Sequence, residues 1–199
     1  MSRREGCGEV FKLYLISRNA GKVREFQRLG VEECVDVSPA ELSKIEIQSD
    51  ELSAIAIYRD VQAALKLSDP FFVEDSGLYI PSLGGFPGPY SSYVYRTLGV
   101  RGILKLMEGL TERQARFESV IVLYYPEHGF RLFRGVVEGT ISREVRGLGG
   151  FGFDPIFIPD GHSKTFAEMP TEAKNSLSHR GKAFRAMVEW LRTTYKSQI

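Results

Sequence analysis

The sequence predicts an α/β domain built on a mixed sheet, and three features carry that prediction. The apolar run Phe11–Ile16 passes through a polar turn into a helical pattern, which makes a strand, loop, helix unit. Residues 117–125 and 130–141 read as two long strands joined by Pro126-Glu127-His128-Gly129, a connection suited to a hairpin. The 199 residues contain no internal repeat, low-complexity tract or Pro/Ser-rich linker, so one domain over 1–199 is expected, with no boundary between lobes defined by composition.

The elements follow in order. The first strand is bounded by Ser17-Arg18-Asn19-Ala20-Gly21-Lys22 and a helix carrying Val23, Phe26 and Leu29 on one face. A second strand is read at 34–37. Asp50 and Glu51 then open a helix whose buried face is expected to be Ala54, Ile57, Tyr58, Val61 and Leu65. Asp69-Pro70 ends it, because a proline disfavours helical backbone in the residue before it. Phe71-Phe72-Val73 is a short strand running into Glu74-Asp75-Ser76-Gly77, with 78–80 resuming it before a Gly/Pro-rich loop at 84–92. One helix is expected over 92–107, and the last helix carries Phe184, Met187, Val188, Leu191 and Tyr195.

With 43% hydrophobic residues the chain can bury a substantial core without disulfides or a structural metal. Its 26 Lys and Arg nearly cancel 25 Asp and Glu, so the net charge of +1 creates no field favouring nucleic acid or an anionic membrane, and neither partner is expected. Any anion must be held by a local cluster. No apolar run approaches the roughly 20 residues of a membrane helix, and MSRREGCGEV lacks the apolar stretch of a secretory signal, so a cytoplasmic protein is expected. Cys7 and Cys34 lie outside any paired metal-ligand spacing and read as ordinary thiols, with a disulfide between them as the alternative.

Four segments carry candidate chemistry. Ser17-x-Asn19-x-x-Lys22 stands where a strand meets a helix, and there free N–H groups and the positive helix end attract anions while Lys22 adds a full charge. The plainer reading is a capped helix with a solvated lysine. Glu74-Asp75 offers a magnesium ligand and a base for water, although neighbouring strand side chains point oppositely, so one of the two enters a site more directly. A capping acid at a turn is the alternative, and Glu46, a further acid, reads by itself as a solvent-facing strand residue. Gly147-Leu148-Gly149-Gly150-Phe151-Gly152 formally matches a dinucleotide fingerprint, but that motif must open a helix and here Phe153-Asp154-Pro155 and an extended 156–158 follow. Its glycines suit close approach of a ligand, with Phe151 or Phe153 stacking on a base or else simply buried in the core. Lys174-Asn175-x-x-Ser178-His179-Arg180 gathers donors before the last helix and suits phosphate or base-edge recognition, or else a cap with solvated basic neighbours.

Read in order, SRNAGK, IEIQ, FFVEDSGL, LGGFPGPYS, GGFGFDPIFIP, TFAEM and KNSLSHR resemble the inosine triphosphate pyrophosphatase family, also called the Ham1/RdgB-like family, and span roughly residues 13–183. The resemblance implies an elongated two-lobed α/β fold with a central mixed sheet flanked by helices and a nucleotide cleft between the lobes, Mg²⁺ dependence, and a homodimer. The activity it implies is hydrolysis of deaminated purine triphosphates such as ITP, dITP and XTP to a monophosphate and diphosphate. Carried over by position, Ser17, Asn19 and Lys22, with Arg18, Ala20 and Gly21 of the same loop, would cradle the triphosphate. Glu46 and Asp75 would hold the metal, with Glu74 in support, and Asp75 would also activate water. Ser76 would touch substrate, Phe151, Gly152, Phe153 and Asp154 match the base-binding segment, and Lys174, His179 and Arg180 match the closing cluster. The chain departs from the family pattern at Arg18, Ser49 and Ala173, and near Tyr58, where a Lys that some members carry has no clear match. A pyrophosphatase for pyrimidine or other modified nucleotides, and a non-catalytic nucleotide-binding module, are the alternative readings.

Overall fold

The computed structural model describes residues 10–42, 47–64 and 66–195. β1 (Phe11–Ile16) leads into α1 (Ala20–Glu32), whose first turn is closed by the Asn19 side-chain oxygen accepting the N–H groups of Gly21 and Lys22. This satisfies donors that a helix start otherwise leaves unpaired. β2 (Val35–Ala40), α2 (Leu52–Ala64) and β3 (Phe71–Tyr79) come next. The two-residue β4 (Pro87–Gly88), α3 (Ser91–Thr97) and α4 (Gly99–Leu106) precede the hairpin of β5 (Gln114–Tyr125) and β6 (Gly129–Ile141). β7 (Phe157–Pro159), α5 (Thr171–Leu177) and α6 (His179–Tyr195) follow.

Among the described residues the strands form one seven-stranded sheet in the order β2-β1-β3-β5-β6-β7, with β4 on the flank of β3. β1 runs parallel to β2 and β3, while β3, β5, β6 and β7 alternate in direction, so the sheet is mixed as expected. Side-chain alternation along the strands assigns residues to faces. Leu13, Leu15, Phe72, Ile121 and Leu123 pack with Phe26 and Leu29 of α1 and with Phe184, Met187, Val188 and Leu191 of α6. The opposite face, with Ile16, Phe71, Val73, Val120 and Val122, packs on Leu52, Ala56 and Ala63 of α2. A third core joins Leu78, Ile80, Ala115 and Phe117 to Val94, Ile103, Phe157 and Phe166 farther along the same long strands. Polar side chains of β3 and β5 lie between these cores.

Three expectations are corrected. The predicted buried face of α2 is turned outward: Ile57, Tyr58 and Val61 are 43%, 37% and 42% exposed, and Leu52, Ile55, Ala56 and Ala63 meet the sheet instead. The small Ala56 and Ala63 let the helix approach closely, and because α2 carries apolar residues on more than one side its period alone does not choose a face. Leu65 lies outside the described residues. The single helix expected over 92–107 is split at Gly99, whose positive φ of 65° is a conformation glycine adopts without a Cβ clash. Cys34 is disulfide-bonded, which overturns its reading as an ordinary thiol; Cys7 lies outside the described residues.

One acid faces the wrong environment. Asp60 of α2 is fully buried, neither carboxylate oxygen has a partner among the described residues, and desolvation pushes its carboxyl up to about 8. The folded state therefore keeps the proton through neutral pH, while the unfolded chain loses it above roughly pH 4. Stability falls across the window from about pH 4 to the folded value, by at most about 1.4 kcal/mol per pH unit, and levels off above it. Urea unfolding is expected to show that Asp60→Asn removes this slope, leaving the variant more stable than the parent at about pH 8 and nearly equal to it at about pH 4.

Candidate active site

The turn between β1 and α1 carries the first of the expected site segments, Ser17 to Lys22. Asn19 donates its own N–H to the Ser17 hydroxyl at 3.2 Å and caps α1 through its side-chain oxygen at 2.9 and 3.1 Å from Gly21 and Lys22 nitrogen. The capping reading is thus realised, and the Asn19 side-chain amide and the Lys22 ammonium remain as donors. Lys22 reaches across to β3, with Nζ 2.7 Å from Glu74 Oε2, 3.3 Å from the Glu74 carbonyl and 3.7 Å from Asp75 Oδ1. Arg18 turns away, its side chain 61% exposed and 3.6 Å from Glu41. Ala20 is exposed. Gly21 lies under the Phe151 ring so closely that a Cβ there would come within 2.7 Å of it.

The strand period separates the two acids. Glu74 falls on the face of α1 and α6 with Phe72 and Ser76, is 2% exposed, and accepts a 2.8 Å bond from the Ser119 hydroxyl. Burial works to raise its carboxyl, but Lys22 and Arg180 outweigh burial and hold it down to about 2. Asp75 faces α2, where NH1 of Arg59 stands 3.7 Å from its Oδ2, and its side chain keeps 17% of its surface. For Asp75 burial prevails over Lys22 and Arg59, so its proton affinity is raised. One acid is part of the scaffold and its neighbour is accessible.

The remaining segments close over these acids. Arg180, in the first turn of α6, contacts Glu25 Oε2 at 3.0 Å, Ser76 Oγ at 2.8 Å and Glu74 Oε1 at 3.2 Å. Its guanidinium also lies 4.8 Å from the Phe151 ring centre. Lys174 pairs with Glu25 and, at 2.6 Å, with Asp154, and stands 5.2 Å from the same ring. Asp154 in turn accepts the Phe151 N–H at 2.7 Å, folding the glycine segment into a turn that Gly150 and Gly152 permit with φ of 69° and 63°. The Ser178 hydroxyl caps α6 by accepting the Gly181 N–H at 3.1 Å.

Lys22, Glu74, Asp75, Ser76, Phe151, Asp154, Lys174 and Arg180 therefore form one linked cluster, with Ser17 and Asn19 beside it. Phe153 is turned inward, 3% exposed and edge-on to Tyr95 at 5.5 Å, so it belongs to the core, while the Phe151 ring stands beside Arg180 and Lys174. His179 is 1% exposed and stacked on Phe117 at 4.7 Å; burial, with Arg180 and Lys174 near it, depresses its pKa and keeps the ring neutral. Glu46 lies outside the described residues. Three participants were not foreseen: Glu25, Arg59 and Ser119. Glu25 follows Lys22 by one helical turn, a spacing that marks a shared face, but nothing local in the sequence distinguishes it from a solvated glutamate.

Comparison with known proteins matches this architecture to one group. The family model described as the Ham1 family matches residues 13–190. A protein of Hyperthermus butylicus named dITP/XTP pyrophosphatase is 49% identical over 185 residues, covering 92% of this chain and 96% of its own. The Pyrococcus horikoshii protein of the same name is also 49% identical over 185 residues, covering 93% and 99%. Among solved structures, a HAM1 protein from Coxiella burnetii superposes with a TM-score of 0.79 at 30% identity, and the Staphylococcus aureus Ham1 protein with 0.78 at 28%; each match covers 92% of this chain and 99% of the other.

Glu25 ties together two buried cations, Lys174 and Arg180. Glu25→Gln is expected to cost about 3–5 kcal/mol, the penalty of leaving buried charges underpaired, measured as a lowered urea midpoint.

Proposed function

The chain belongs to the Ham1 family, and on that premise we propose that it hydrolyses deaminated purine nucleoside triphosphates, dITP, XTP and ITP among them, to the nucleoside monophosphate and diphosphate. Relatives named dITP/XTP pyrophosphatase support the reaction. The observation that carries its placement is Asp75: an acid with exposed surface, standing between the Lys22 ammonium of the anion loop and the Arg59 guanidinium, at the end of a cluster that also holds Phe151 and Arg180.

Charge balance supports a divalent cation. Lys22, Arg59, Lys174 and Arg180 face Glu25, Glu74, Asp75 and Asp154, so the cluster is already formally neutral and a triphosphate must bring compensation of its own. Carboxylate oxygens fit Mg²⁺, which takes one or two protein acids together with phosphate oxygens and water. Glu74 Oε2 is held by the Lys22 ammonium at 2.7 Å, whereas among the described residues Asp75 Oδ2 has only the Arg59 guanidinium, at 3.7 Å. Asp75 and Glu46 are read as the holders, with Glu74 behind them. Bound there, Mg²⁺ supplies positive charge to the triphosphate oxygens.

The chain's own residues do the rest. Ser17, Asn19 and Lys22 orient the triphosphate, and Lys174 adds a cation on the far side. Asp75 accepts a proton from water as its oxygen bonds to the α-phosphorus and the bond to the β-phosphate bridge oxygen breaks, releasing diphosphate. Phe151 stacks on the purine. Arg180 keeps a further N–H on NH1 and on NH2 after meeting Glu25 and Ser76. Those donors match a 6-oxo group, whereas the 6-amino group of adenine would set donor against donor and leave buried groups unpaired.

A cytoplasmic homodimer completes the proposal. No described helix is long and apolar enough to cross a membrane. The outward Ile57, Tyr58 and Val61 form a stripe on α2 with no charge among them, a surface that a second copy of the same chain would cover with its own uncharged stripe.

Incubation with dITP, XTP, ITP, GTP and ATP and Mg²⁺ is expected to yield diphosphate and the monophosphate from the deaminated nucleotides, little from ATP, and none after chelation. Asp75→Asn should lower kcat by about a hundredfold or more; near wild-type turnover would remove Asp75 from the role assigned to it.

A further inference from the structure

Gly21 is the second residue of α1, and its backbone gives no reason for a glycine. It is buried and helical, without the positive φ that Gly150 and Gly152 adopt. Its N–H is spent on the Asn19 cap at 2.9 Å, and inside a helix glycine is less favourable than alanine. The obstacle to a side chain is the Phe151 ring. A Cβ at Gly21 would stand 2.7 Å from Cγ, 2.8 Å from Cδ1 and 3.0 Å from Cδ2 of Phe151, and these are its three nearest atoms. Near-equal distances to three adjacent ring carbons put that Cβ over the face of the ring. Carbon contacts normally lie at about 3.5–4.0 Å, so an alanine would lift the ring by roughly 1 Å. The ring is held where it is from other sides. Asp154 accepts the Phe151 N–H at 2.7 Å, a turn that Gly150 keeps open because a Cβ there would collide with the Asp154 carboxylate. Arg180 and Lys174 stand 4.8 and 5.2 Å from the ring centre. The aromatic of the glycine segment thus rests directly on the first turn of α1, beside Lys22.

We propose that Gly21 is a positioning residue for base selection: its missing side chain makes the seat on which Phe151 lies, and so sets the place of the base relative to the loop that receives the triphosphate. The assignment rests on the pyrophosphatase reading above and deepens it. A nucleotide spans both places at once. A ring lifted from its seat shifts the purine against the Arg180 donors while the phosphates stay with Lys22, so discrimination between a 6-oxo and a 6-amino group suffers more than affinity for the phosphate chain.

The test compares kcat/KM of the full chain for dITP and dATP with Mg²⁺, and adds calorimetric binding of inorganic triphosphate, a probe without a base. Gly21→Ala is expected to reduce the ratio of dITP to dATP about tenfold or more, as for a misplaced reacting group, with a clearly smaller loss of affinity for inorganic triphosphate. Phe151→Leu removes the ring that the new methyl would strike. On that background Gly21→Ala should change the ratio little further, a non-additivity expected of groups in contact, and this double variant carries the test if Gly21→Ala alone does not fold. A Gly21→Ala protein with the parent's ratio would overturn the proposal, as would additive losses in the double variant or equal losses for dITP and inorganic triphosphate, which would make Gly21 a phosphate-loop residue only. If the parent releases orthophosphate or cleaves neither nucleotide, the reaction assignment fails, and the same ratio taken from calorimetric affinities decides the Gly21 assignment by itself.

Discussion

A continuous chain of ion pairs, sealed from water, dictates how the parts of this molecule meet. It runs from Lys22 of α1 to Glu74 of β3, on to Arg180 of α6, back to Glu25 of α1, then to Lys174 of α5 and Asp154 of the glycine segment. Side-chain exposure along it nowhere exceeds the 13% of Lys22. Removing such charges from water costs several kcal/mol per ion, and the attraction between them offsets that only if each carries additional hydrogen bonds. Ser119, Ser76 and the Phe151 amide provide these. The network is therefore poor evidence of high stability and good evidence of a unique arrangement. Shifting any one element would strand a charge.

Strand alternation then divides labour between two adjacent acids. Because Glu74 and Asp75 point to opposite faces, the first is locked among α1 and α6 while the second emerges beside α2. Lys22 serves both only because its ammonium sits near the strand backbone, within reach of the Glu74 carbonyl. Two layers of helices thus converge on one acid from opposite sides, and the sheet is the partition between them.

Much of this was legible in the chain. The strand, loop, helix unit, the hairpin and the last helix fall where periodicity places them, and the segments SRNAGK, EDSG and SHR do come together in space. What escaped was information that no local pattern holds. The outward turn of Ile57 and Tyr58 depends on how closely Ala56 and Ala63 approach the sheet, and Phe153 is claimed by the core through Tyr95, far away in sequence. Glu25 and Arg59 are ordinary charged residues of their helices until the fold sets them beside Arg180 and Asp75. Glu46 rests on its motif alone.

The long hairpin has a further consequence. β5 gives Ala115 and Phe117 to one core, Val120 and Val122 to a second, and Ile121 and Leu123 to the third. No core can melt without loosening the strand that the others share, so the three cores are expected to open together. Amide protons along the middle of β5 are then expected to exchange most slowly, and their exchange would report the integrity of all three cores at once.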